Sequence, residues 1–325
     1  MNTPTPTDKH RTHTVHTDDG VPLTVHECGE ATAPLTVVFV HGHCLAAAAW
    51  EHQIAHLQRA RGTKIRTVTY DQRGHGESGH APMDTYTITQ LGSDLHAVLT
   101  AVGAGPTILV GHSMGGMAIM SYLDQNPTAA RARIVGAALI STASSDLTLH
   151  GLGRSLNSPF VGAVRTLVDR APGTADRLRR LGKHVSTPLI DGFGYGIGTT
   201  AQMRKIGTAL LTEVDIATMV GFLDSLKHHD ERNGLRHLRA VPVEVICGDI
   251  DLMTPPVHSH AIAALTGSEV TIVDGAGHMV IHERPTRIGM ILDGLIDRVA
   301  TSTATTRAAR RSGHQGCRPT NLKVG

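Results

Sequence analysis

Short continuous apolar runs recur along this chain, separated by stretches in which apolar residues fall three and four apart. Thr12 to His16 and Val21 to His26 instead alternate polar and apolar residues around Asp18-Asp19-Gly20, which predicts an antiparallel hairpin. Leu35 to Val40, Ile65 to Tyr70, Thr107 to Val110 and Ile134 to Ser141 are continuous β-rich runs. Such runs suit strands buried on both faces of a parallel sheet. Trp50 to Arg59, Ile88 to Val102 and Met114 to about Gln125 carry helical spacing. Leu91, Leu95, Val98, Leu99 and Val102 share one helical face, and Asn126-Pro127 is a stop. Strand and helix alternate, so the pattern predicts a doubly wound, mostly parallel α/β sheet with an N-terminal hairpin.

From about Ser144 to Arg239 the strand-like runs vanish and helical segments rich in Leu, Arg and Gly replace them. Val243 to Cys247 and Val270 to Val273 then restore strands, and Pro285 to Val299 reads as a closing helix. The expected organisation is a core of residues 1–143 and 240–300, a helical cap of 144–239, and a basic tail of 301–325. The cap's larger apolar residues include Phe160, Phe193, Tyr195, Met203, Met219 and Phe222. They are expected to fill the cap's own core, the rival role being an acyl pocket. Gly192 to Gly198 lacks the third glycine of a phosphate loop and reads as a cap loop.

Composition narrows the function. At 325 residues, 40% hydrophobic and 18% charged, the chain suits a globular domain with a sizeable core. The last 25 residues hold five basic residues and no acid. The body then carries 25 Lys+Arg against 28 Asp+Glu, which does not indicate a nucleic-acid surface. The tail's Thr, Ser, Gly and Pro content predicts disorder. Cys28, Cys44, Cys247 and Cys317 show no metal-type or C-x-x-C spacing, so free thiols in a reducing compartment are expected. No stretch approaches the roughly 18 apolar residues that span a bilayer, and Met1 to Asp19 lacks a secretory core, so a cytoplasmic location is expected.

The chemistry sits in the loops after the strands. Gly111-His112-Ser113-Met114-Gly115-Gly116 follows one strand and opens a helix. The small residues flanking Ser113 fit a G-x-S-x-G elbow, which exposes a serine nucleophile and turns the Met114 amide toward a developing oxyanion. A serine needs a base, and the base an orienting acid. Gly248-Asp-Ile-Asp251 follows the strand that restarts the sheet, where open α/β sheets keep their sites. Asp251 is the chosen acid. Asp249 is the runner-up, expected to bond its own loop's backbone. Asp274-Gly-Ala-Gly-His278 follows the last strand and offers His278 as base. His282 is assigned to the start of the closing helix. His41-Gly42-His43-Cys44 can supply a second oxyanion donor from the His43 amide, with the His43 ring packing at the site mouth. Among the 22 histidines, His10, His13, His16, His228 and His229 read as solvated, and no metal site is predicted.

In these stretches, together with Asp71-Gln-Arg-Gly-His-Gly-Glu-Ser78 and Thr254-Pro255, the chain resembles the α/β-hydrolase superfamily, in its serine branch with an inserted cap. The resemblance spans roughly residues 10 to 300. It implies Ser113 as nucleophile, His278 as base, Asp251 as acid and the His43 and Met114 amides as oxyanion donors, with no cofactor. It also implies that Asp71 to Ser78 is a structural turn in which Arg73 and His75 carry no chemistry. Serine at the elbow, where dehalogenases and epoxide hydrolases of similar fold carry aspartate, points to acyl transfer. The expected substrate is a small molecule with an uncharged carboxylic ester. Perhydrolase or haloperoxidase-like, thioesterase and carbon–carbon hydrolase activities share the machinery, and a non-catalytic ligand receptor shares the fold.

Overall fold

A computed structural model describes residues 10–103, 105–171, 173, 195 and 214–314. The strands are β1 (Arg11–His16), β2 (Pro22–Cys28), β3 (Leu35–Val40), β4 (Ile65–Tyr70), β5 (Thr107–His112), β6 (Ile134–Ile140), β7 (Val243–Gly248) and β8 (Val270–Val273). They form one sheet in the order β1-β2-β4-β3-β5-β6-β7-β8. β1 and β2 pair antiparallel with Val15 opposite Leu23, β2 runs antiparallel to β4, and every other neighbouring pair is parallel.

The period-two geometry of the strands builds two cores. Val38, Val40, Leu109, Leu139 and Val245 face one way, into a core with helices α2 (Ile88–Ala101) and α3 (Met114–Gln125). Val37, Phe39, Val110, Ile140 and Ile246 face the other way, under Trp50 and helix α1 (Glu51–Arg61). Burial on both faces is why the central strands read as unbroken apolar runs. The expected face of α2 is buried from Leu91 to Val102, and the Thr87 side chain caps its start by accepting from Gln90 N–H. After Asn126, Pro127 opens a short helix α4 (Pro127–Arg133) rather than a plain loop.

Between β6 and β7 the described residues include α5 (Pro159–Arg170), α6 (Ile216–Gly221) and α7 (Leu223–His228) with short 3₁₀ turns. Phe222, Leu226, Leu235 and Leu238 bury into the same core as α3, and Tyr195 into the opposite one. These residues therefore do not form a core private to the insertion. Phe193, Met203, Cys317 and nearly all of the 192–198 loop lie outside the described residues. The solvated reading of His229 also needs correction. It is buried, with its ring nitrogens 2.8 Å from the Leu226 carbonyl and 3.3 Å from that of Ala143.

The sheet is completed by α8 (Pro256–Thr266), α9 (Val280–Glu283) and α10 (Pro285–His314). His282 sits in the separate turn α9, since Pro285 starts the closing helix. α10 continues past Val299 to His314, so the expectation of disorder is corrected for residues 301–314. Ala304, Ala308, Ala309 and the arginines are good helix formers, and no glycine intervenes before Gly313. Residues 315–325 lie outside the described part. No helix of the described residues is long and apolar enough to cross a membrane.

A buried clamp fixes the turn after β4. The Arg73 guanidinium is fully buried and bidentate on Asp94, with two bonds at 2.7 Å. It also donates to Asp19 at 2.8 and 2.9 Å. Arg73 thereby joins the β1–β2 hairpin, the β4 turn and α2. Removing one partner of a buried pair strands the other's charge in low dielectric. Arg73→Met is expected to lower unfolding free energy by about 3–5 kcal/mol in urea titration, and Arg73→Met with Asp94→Leu to recover much of the loss.

Candidate active site

Ser113 occupies the turn between β5 and α3 at φ 52°, ψ −123°, a conformation that a residue with a Cβ adopts only when its surroundings enforce it. The reason is local crowding. A Cβ at Gly115 would run into the Val40 carbonyl, and one at Gly111 would meet Gly116 N at 2.7 Å. The turn leaves Met114 N–H in the first turn of α3, where amides lack intrahelical acceptors.

His278 arrives from the loop after β8. Its Nε2 lies 3.0 Å from Ser113 Oγ, and its Nδ1 lies 2.9 Å from Asp251 Oδ2. The structure thus brings Ser113, His278 and Asp251, from three distant loops, into one buried hydrogen-bonded line. The carboxylate oxygens of Asp251 also accept from Met253 N–H, Thr254 N–H and Thr254 Oγ1–H, each at 2.9 Å. Burial alone would raise the Asp251 pKa. The facing His278 and the hydrogen bonds from His278 and Thr254 outweigh it and hold the carboxyl below its ordinary value. Asp249 is exposed and accepts from Ala276 N–H at 3.2 Å, so it braces the His278 loop rather than its own.

The His278 loop has two further supports. Glu283 Oε1 accepts from Gly277 N–H at 3.0 Å. His112, inside the elbow, places Nε2 2.9 Å from the His278 carbonyl, and a carbonyl can only accept, so this nitrogen carries the proton. Sequence reasoning gave His112 no role, although it lies within the elbow motif.

The loop after β3 runs alongside. A side chain at Gly42 would meet Ser113 Cβ at 3.1 Å. Beyond it Leu45 N–H donates to the Gly42 carbonyl at 3.2 Å, and Cys44 N–H donates to His75 Nε2 at 3.0 Å. Among the described residues no acceptor meets the His43 N–H. The His43 ring places Nε2 3.0 Å from the Met219 carbonyl of α6 and packs edge-on against His75 and Phe222. Burial pushes its pKa down to about 4.

A family model described as the alpha/beta hydrolase family matches residues 37–288. The chain belongs to the alpha/beta hydrolase family. It is 24% identical over 261 residues to an sn-1-specific diacylglycerol lipase, ABHD11, of Mus musculus, covering 79% of each chain. It is 27% identical over 256 residues to a non-heme haloperoxidase of Rhodococcus erythropolis, covering 74% of this chain and 85% of that one. A thermophilic esterase from Thermogutta terrifontis superposes with a TM-score of 0.70 at 21% identity, over 89% of this chain and 99% of the other, which shows the fold.

Around the site the hydrolase keeps several histidines neutral. Burial pushes His112 down to about 3, and His258 and His282 down to about 4. An unfolded chain protonates histidine near 6.5. Between these values the unfolded state binds more protons, so stability falls as pH falls. At about 1.4 kcal/mol per pKa unit, the loss from pH 6.5 to 4 is expected to be on the order of several kcal/mol. Urea midpoints measured across that range are expected to fall steadily with acid.

Proposed function

We propose that the protein is a serine hydrolase that cleaves uncharged carboxylic esters of small molecules through an acyl-enzyme. The observation that carries this reading is the line from Asp251 through His278 to Ser113 Oγ at a strained elbow. His278 Nε2 takes the serine proton as Oγ attacks the carbonyl carbon, and returns it to the leaving alcohol. Water activated by the same nitrogen then cleaves the acyl-enzyme. Asp251 holds the tautomer with the proton on Nδ1 and stabilises the imidazolium that forms.

The amides of His43 and Met114 receive the oxyanion. Amide accounting supports the pair, because Cys44 and Leu45 already spend their N–H groups within the protein. Donors of this kind contribute roughly 3–4 kcal/mol each in the transition state. The β6–β7 insertion is read as the cap that shapes the acyl site. The chemistry calls on no metal or cofactor. Buried cysteines such as Cys28, Cys44 and Cys247 suit a reducing cytoplasm.

A perhydrolase reading is favoured by the similarity to the Rhodococcus haloperoxidase. In that reading hydrogen peroxide attacks the acyl carbon in place of water, the bond to Ser113 Oγ breaks with return of its proton, and the released peracid oxidises bromide. Peroxide-dependent bromination with a carboxylic acid present separates it from simple hydrolysis.

Ser113→Ala is expected to abolish hydrolysis of short p-nitrophenyl esters and fluorophosphonate labelling, and wild-type turnover in that variant would overturn the reading. Asp251→Asn is expected to lower kcat by about 10⁴-fold while the protein still folds, since the wrong tautomer of His278 would face the serine.

A further inference from the structure

The loop that carries the His43 amide is held in an uncommon conformation. Cys44 has φ 58°, and a residue with a Cβ stays there only where contacts impose it. One contact that holds it there is the bond from Cys44 N–H to His75 Nε2 at 3.0 Å. His75 Nδ1 lies 2.9 Å from the Arg73 carbonyl, which can only accept. The ring's proton therefore sits on Nδ1, and Nε2 offers its lone pair to the loop. A protonated ring would oppose donor to donor. His75 is 1% exposed, and burial holds its pKa well below the ordinary value, so the accepting form persists. The Arg73 backbone that fixes this tautomer is anchored in turn by the clamp on Asp94 and Asp19.

On its other side the same loop meets the insertion. His43 Nε2 donates to the Met219 carbonyl of α6, and its ring packs edge-on between His75, at 5.8 Å, and Phe222, at 5.6 Å. Phe222 also packs on His75 and Tyr86. Helix α6, Phe222, His43 and His75 thus form one packed unit behind the loop that runs from Gly42, beside Ser113, to Cys44.

We infer that His75 and His43 are positioning residues for the oxyanion loop. His75 locks it by accepting the Cys44 amide. His43 ties it to α6 through the Met219 carbonyl, so that the seating of α6 is transmitted to the oxyanion donor. The inference rests on the serine-hydrolase reading and deepens it. It also gives chemistry-supporting work to a residue of the Asp71 to Ser78 turn.

The test compares His75→Met, which fills the space without an acceptor, with His75→Gln, whose Oε1 can replace Nε2, and with His43→Phe, which keeps the packing and loses the tie. Three readouts are taken on each: kcat and KM for a p-nitrophenyl ester, affinity for a trifluoromethyl ketone that forms an anionic adduct on Ser113, and amide exchange of Cys44. His75→Met is expected to lower kcat and ketone affinity together by about tenfold to hundredfold, with KM nearly unchanged and Cys44 exchange accelerated. His75→Gln is expected to restore most of both. His43→Phe is expected to lower kcat and ketone affinity together by a smaller factor. Wild-type kcat and ketone affinity in His75→Met would overturn the inference. Should that variant fail to fold, His43→Phe decides, and unchanged values there overturn it. A wild type that forms no Ser113 adduct would sink the serine-hydrolase reading instead. Cys44 exchange alone then judges the lock, and equal rates in His75→Met and wild type would reject it.

Discussion

Helix α3 begins with its first turn pressed against the carbonyl ends of β3, and only a residue without a side chain at position 115 permits that approach. The rest of the site follows from this one steric constraint. It forces Ser113 into positive φ, lifts its hydroxyl out of the sheet, and sets Gly42 against the serine Cβ. It also brings the start of α3, where the Met114 amide lacks an intrahelical acceptor, beside the loop after β3. The strain is tolerable because the elbow is over-determined. Ser113 N–H donates to the Ile140 carbonyl at 3.0 Å, and Thr142 Oγ1 donates to the Ser113 carbonyl at 2.7 Å.

The electrostatics are arranged around a single buried carboxylate in the line with His278. Burial penalises charge, so the histidines packed nearby stay neutral and act as ordinary donors and acceptors. Asp251 escapes that penalty because His278 faces it and three donors from the Met253–Thr254 turn satisfy its oxygens. A carboxylate that keeps its charge can steady an imidazolium. One left without those donors would take up a proton, and the orienting bond to Nδ1 would lose its ionic partner. Thr254 is therefore as much a part of the arrangement as the acid, though it exchanges no proton with substrate.

The sheet was legible because each central strand is buried on both faces and so leaves a continuous apolar signature. The two core-facing sets of β3, Val37/Phe39 and Val38/Val40, are the period-two pattern itself. Ser113, Asp251 and His278 were legible as candidates because each follows a strand end in a turn-forming loop. Support from residues beyond those loops was harder to read. His75 looked like part of a turn, since nothing in its local sequence reveals that its imidazole meets an amide 31 positions away. His229 looked solvated beside His228 and Asp230, and only tertiary packing buries it. The extent of α10 was hidden because Thr, Ser, Gly and Pro read as a disordered tail, while its alanines and arginines kept the helix going to His314.

The insertion is braced on two sides of the site. Near its start, Leu152 N–H donates to the Leu252 carbonyl at 2.7 Å, next to Asp251. Near its end, the Met219 carbonyl accepts from the His43 ring, beside the amide proposed as an oxyanion donor. The His278 loop, by contrast, is steadied by His112, Asp249 and Glu283, all from the sheet domain. The loop of His278 is thus steadied from the end of β5, the loop after β7 and α9. The insertion therefore meets the site from two directions, through Leu252 beside Asp251 and through Met219 on the His43 ring, while the bond between His278 and Ser113 is made by loops at the strand ends.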